Sequence, residues 1–171
     1  MNHISINFII KKCKKLFKKK LKDYDLSWKI IKIYSMIDQI FIKVFRIQNI
    51  QKRGYQKVKE EKIIDTYIDV INYIVITIIK LNTSNNLEKD ISHSKIICLY
   101  IQQFNKIKNW KKNIELYNKK MGDPSIEKIL EYIFYLKKKK EKILSNNLEI
   151  IFFKILKITI LLLMKDIRKN K

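Results

Sequence analysis

Helix breakers are almost absent from this chain: two glycines, Gly54 and Gly122, and one proline, Pro124, in 171 residues. Glycine and proline are the strongest local interrupters of regular structure, so a chain this poor in them is confined to long uninterrupted elements. The spacing of the apolar residues then selects the element. Ile9, Ile10, Cys13, Leu16, Phe17 and Leu21 recur at three- and four-residue steps between lysines, which predicts an amphipathic helix from about Ser5 to Asp23. Ile37, Ile40, Phe41, Val44, Phe45 and Ile47 predict a second from about Ser35 to Gln51, and a strongly apolar third runs from Val58 to Leu81. Asn82 to Asn86 reads as a linker. Beyond it the pattern predicts a long helix over Leu87 to Lys119, a break at Met121 to Pro124, a helix to about Lys142, a break at Ser145 to Asn147 and a last helix. The fold class is all-α, a bundle of about six main helices.

The two halves resemble each other. A constant displacement sets Trp28 on Tyr117, Asp38 on Glu127, Ile40 on Ile129 and Phe45 on Phe134; a slightly shorter one sets Tyr67 on Phe152, Ile71 on Leu156 and Ile78 on Leu163. The expected organisation is two pseudo-repeated three-helix units, residues 1–86 and 87–171, packed as one globular unit.

A net charge of +22 suggests a polyanionic partner. Lysine supplies 35 of the 38 basic residues, however, and the chain has 36 isoleucines and no alanine, the composition of an AT-rich coding sequence. Phosphate and base recognition favours the rigid fork of arginine, and only Arg46, Arg53 and Arg168 are present. Codon drift therefore accounts for much of the charge. Cys13 and Cys98 sit far apart in apolar-periodic stretches and read as buried thiols of a reducing compartment. His3 and His93 have no second ligand at metal spacing and are given no role. Met1 to Ile10 lacks the order of a secretory signal. Ile150 to Met164 is interrupted by Lys154 and Lys157, short of the ~20 apolar residues of a membrane span. The cytoplasm is the expected compartment.

Chemistry concentrates in the third helix. Glu61, Asp65, Asp69 and Asn72 follow at steps of four, four and three, which stacks them on one face. Like charges at this spacing repel, so the column favours a cation beside it. Mg²⁺ suits it, being a hard ion held by one or two carboxylates plus substrate phosphates, with Glu60 as a further ligand. The competing reading is that lysines neutralise the column or that it faces water.

Val58-Lys-Glu-Glu-Lys-Ile-Ile-Asp-Thr-Tyr-Ile-Asp-Val-Ile-Asn-Tyr73 resembles the signature of a bacterial and phage family, nucleotide modification associated domain type one. Lys22-Asp23-Tyr24-Asp25 with Ser27-Trp28 is similar to that family's Lys-Asp-Tyr-Gly followed by a serine and an aromatic, and Asp38 to Arg46 is similar to its second helix. The likeness covers roughly residues 13 to 81, and the family includes tandem members. Two departures stand out. The family's glycine is Asp25 here, where a positive φ would strain the chain. In the second half Asp65, Asp69 and Asn72 become Ile150, Lys154 and Lys157, so the acids survive in the first unit alone. The family is in turn similar to the MazG-like all-α nucleoside triphosphate pyrophosphohydrolases, although their Glu-Glu-x-x-Glu motif has no clear copy here.

The resemblance implies a nucleotide or nucleoside phosphate as partner. Glu61, Asp65 and Asp69 would hold the metal, with Asn72 and Asp38 on the ligand; Lys43 and Arg46 would contact phosphate; Asp23, Tyr24 and Trp28 would line the base side. An enzyme built this way would use metal-activated water on a phosphoanhydride. The residues leave other readings open. Tyr24 and Trp28 also fit as core aromatics, and Arg46 as an ion-pair partner of Asp38 or Asp69. Lys154 and Lys157 could substitute for the metal. Lysines 11–20 and 137–140 could instead serve a nucleic-acid or membrane-surface module, or the chain could be a structural remnant.

Overall fold

A computed structural model describes residues 6–57, 62–83, 91–110, 122–139 and 143–169. Every regular element among them is helical. They are α1 (Ile6–Tyr24), a 3-10 turn (Ser27–Lys29), α2 (Ile33–Arg53), α3 (Ile63–Thr83), α4 (His93–Trp110), α5 (Ile126–Lys139) and α6 (Ser145–Lys169). The all-α class expected from the missing breakers is what forms.

α3 is the axis of the molecule. Twelve of its 21 residues are buried, on nearly all sides, which is how a helix reads when neighbours surround it. It packs most extensively against α2 and α6, and also touches α1 and α4. α2 lies on α5, and α5 on α6. Elements equated by the likeness of the halves thus lie against each other, α2 on α5 and α3 on α6. One continuous apolar cluster draws on all six helices, from Ile9 and Phe17 in α1 to Ile155 and Leu163 in α6.

Three departures from the expected boundaries have local causes. α3 begins at Ile63, with the Lys62 carbonyl accepting from the Asp65 and Thr66 amides at 2.9 and 3.2 Å and the Gln56 side chain accepting from the Ile63 amide at 3.2 Å. The expected break at Ser145 to Asn147 is instead the first turn of α6, preceded by Leu144, whose carbonyl accepts from Asn147 and Leu148. Ser and Asn are turn formers, but the first helical turn also has unpaired amides, where such side chains are equally at home. Similarly, Asn82 and Thr83 finish α3 instead of opening a linker.

Cys98 corrects a fourth expectation. Cys13 is buried, but Cys98 is exposed, because α4 turns Ile96, Tyr100, Phe104 and Ile107 inward and leaves Cys98 outside that stripe. Among the described residues no helix is long and apolar enough to cross a membrane.

Candidate functional site

α1 ends where its chain turns left-handed. Asp25, at φ +50°, is the one described non-glycine residue with positive φ, and it occupies the family's glycine position. Aspartate tolerates this region better than most residues because its short side chain can bond locally. Here the carboxylate meets His93 Nε2 at 2.5 Å, at the first residue of α4, giving a contact to a histidine that the sequence left without a role. The turn then carries Ser27 and Trp28 back over α3. Trp28 is buried, as a core aromatic, while Tyr24 is 66% exposed.

Between the end of α1, this turn and α3 lies a pocket of about 320 Å³. Its walls include Phe17, Tyr24, Trp28 and Tyr73, with Lys20, Asp25, Ser27 and Asn72 as polar members. Three of the residues expected on the ligand, Tyr24, Trp28 and Asn72, therefore share one cavity. The Trp28 indole N–H is buried and has no acceptor among the described residues. Asn72, 4% exposed, is committed inward: its Oδ1 accepts from the Tyr100 hydroxyl at 2.5 Å and its Nδ2 donates to the Cys13 carbonyl at 3.3 Å. Tyr100 stacks on Phe17 with ring centroids 4.2 Å apart, so the pocket's back wall is fixed by α1, α3 and α4 together. Burial raises the Tyr100 hydroxyl pKa well above its ordinary value and pushes the Cys13 thiol up to about 12, so both stay protonated.

Beside Lys20 stands the most engaged of the described carboxylates of the column. Asp69 accepts from the Lys20 ammonium on one oxygen and the Lys43 ammonium on the other, each at 2.7 Å. Burial alone would raise its pKa, but the hydrogen bonds and charges of the two lysines outweigh burial and hold the carboxyl below its ordinary value. Lys20 is itself a pocket wall, and the Lys43 ammonium lies 5.8 Å from the ring centre of Tyr73, another wall. Asp69 thus holds two cations beside an aromatic cavity.

The rest of the expected set is dispersed. Asp65 is exposed, and Glu60 and Glu61 lie outside the described residues. No group of three His, Cys, Asp or Glu side chains able to hold a metal occurs among the described residues. Among the described carboxylates, Asp69 already carries an ammonium on each oxygen, so a divalent cation would compete there with Lys20 and Lys43. The partners of Asp69 come from α1 and α2; Lys154 of α6 instead lies over the Tyr132 ring at 5.7 Å. Arg46 donates to the Thr66 hydroxyl and lines a separate cleft of about 310 Å³ with Arg53 and Lys57. Asp38 pairs with Lys137 of α5 at 2.5 Å, which removes both from the pocket and binds one residue of the C-terminal lysine run into the fold. Asp23 is exposed and is not among the pocket walls.

Residues 20–81, from the last turn of α1 to the end of α3, match the family model described as nucleotide modification associated domain 1. The pocket sits on the matched stretch.

All of its walls except Phe17 fall inside the matched stretch. Neither the curated proteins nor the solved structures yield a match. Lys20 and Tyr73 are among the pocket residues that the sequence did not single out for a ligand role. Lys20 was hidden in a run of lysines. Tyr73 closes the quoted motif, and the signal that could have found it is its place one residue after Asn72, next to the pocket and off the core-facing stripe.

Proposed function

We propose that the chain binds a nucleotide or nucleoside phosphate, with the base in the pocket between α1 and α3 and the phosphate end toward Lys20 and Lys43. The observation that carries this reading is the convergence of Tyr24, Trp28 and Tyr73 on one cavity lined by Lys20, whose partner Asp69 also holds Lys43 beside the Tyr73 ring. Aromatic faces stack on any base and contribute ~1–3 kcal/mol each in nucleic-acid sites. The unpaired Trp28 N–H would donate to a ring nitrogen or carbonyl of the base, relieving a buried-donor cost of ~1–3 kcal/mol. A volume of about 320 Å³ is near the lower end of ligand pockets, which run to ~300–1,000 Å³.

The proposal is one of binding. The hydrolytic route would need Glu61, Asp65 and Asp69 to share a metal, and Asp69 instead spends both oxygens on lysines. Such a ligand implies residence in the cytoplasm. The test is thermal unfolding with millimolar nucleoside mono-, di- and triphosphates, with and without Mg²⁺. A ligand at 100 times its Kd stabilises the folded state by ~2.7 kcal/mol, so the melting temperature should rise in the native chain. The rise should shrink in Tyr24→Ala, a substitution at an exposed side chain. No shift with any nucleotide would remove this reading.

A further inference from the structure

Asp25 stands where the backbone disfavours it. At φ +50° it is in the left-handed region, which glycine adopts freely and other residues rarely do. A turn of this shape does not require a carboxylate, and side chains held in such conformations gather at sites that clamp a ligand. Two observations give this one a use. Asp25 lines the pocket together with Lys20, Tyr24 and Trp28, and its side chain, 76% exposed, stands at the mouth. One of its oxygens, Oδ1, is held by His93 Nε2 at 2.5 Å. The side chain makes no other hydrogen bond or ion pair among the described residues, so Oδ2 is open to accept.

We infer that Asp25 is a specificity residue of this pocket: Oδ2 accepts from a hydroxyl of the ligand's sugar, so the preferred ligand is a ribonucleotide. This deepens the nucleotide reading above and rests on it. At neutral pH a carboxylate accepts and does not donate, so the group it meets on the ligand must be a donor. Phosphate offers only acceptors and carries like charge. The base offers donors, but its polar edge is drawn to the closed side of the pocket, where the Trp28 indole N–H is buried and unpaired. The sugar joins the two ends. Lys20 and Tyr24 stand one turn apart on α1, ~6 Å at 1.5 Å per residue, which leaves room for a sugar between a phosphate at the lysine and a base at the aromatics. An acidic side chain on ribose hydroxyls is also how dinucleotide-binding α/β folds recognise that sugar. His93 is then a positioning residue: from the first turn of α4 it fixes one carboxylate oxygen and leaves the other for the ligand.

The experiment is calorimetric titration of the full chain with the four nucleoside 5′-monophosphates, then with the 2′-deoxy and 3′-deoxy counterparts of the tightest. One open oxygen accepts one hydroxyl, and the two counterparts tell which. The native chain should bind the ribonucleotide about five- to tenfold more tightly than at least one of them. Asp25→Gly, which suits the left-handed backbone and keeps the fold, should bind all three alike, at the native affinity for the weaker deoxy form. His93→Ala should lower the native preference. Equal native affinity for all three would overturn the inference, as would a preference that survives in Asp25→Gly. So would an Asp25→Gly chain weakened equally toward all three, because the carboxylate would then serve the base or the turn. An unchanged preference in His93→Ala would remove the positioning role. Nucleotide binding without a sugar preference sinks this inference and leaves the pocket reading standing; no binding of any nucleotide sinks both.

Discussion

Asp69 is where charge and burial meet most sharply. Its carboxyl titrates below its ordinary value of 3.8 in the folded chain, so its contribution to stability is fully present above pH 3.8 and is lost as pH falls through the lower folded value. Asp69→Asn should therefore cost about 1–2 kcal/mol at neutral pH, since Lys20 remains partly solvated. The gap between the native chain and this variant should close in melts below pH 3.8. A gap that persists unchanged in acid would mean that the carboxylate's ion pairs do not carry its contribution. Asp25 makes a separate case. Its left-handed backbone predicts that Asp25→Val loses about 1–2 kcal/mol in denaturant unfolding while Asp25→Gly is tolerated without loss. Equal stability of all three would contradict the turn. The departure from the family's glycine was legible in the sequence, and so was its consequence for φ; the His93 contact was not, because it joins residues 68 positions apart.

Among elements, α1, α3 and α4 are tied by Asn72, which accepts from Tyr100 and donates to the Cys13 carbonyl. Asn72→Leu would leave the buried Tyr100 hydroxyl without its acceptor and should cost about 2–3 kcal/mol by urea unfolding. A cost near zero would show that the network does not hold the pocket's back wall. The helices themselves were legible because their apolar steps are regular and breakers are few. Their ends were less so: Ser145 to Asn147 suit a turn and a first helical turn alike, and composition does not distinguish the two. The acid column shows the limit of periodicity. Spacing correctly placed Asp65, Asp69 and Asn72 on one helix, yet their environments diverge: Asp65 is exposed, Asp69 is half-buried between lysines and Asn72 is buried beneath the pocket. Which neighbour covers each turn of α3 depends on tertiary packing, and the lysines that neutralise Asp69 come from 49 and 26 residues away.

For the whole molecule, a single apolar cluster spanning both halves implies one cooperative unfolding transition. Ile155→Ala, at a fully buried position of α6, should lower stability by about 2–5 kcal/mol and keep that single transition; two separate steps would show that the halves unfold independently. Lys20 and the aromatic walls of the pocket come from α1, the turn after it and α3, while α5 and α6 close the core against α2 and α3. The nucleotide reading depends on a base entering beside Trp28, one of two tryptophans in the chain. Substituting Trp110→Phe leaves Trp28 as the sole indole reporter. Titrating that variant with nucleotide should quench its emission saturably, in parallel with the melting shift; unaltered Trp28 emission at millimolar nucleotide, in a chain that remains folded, would contradict binding in this pocket.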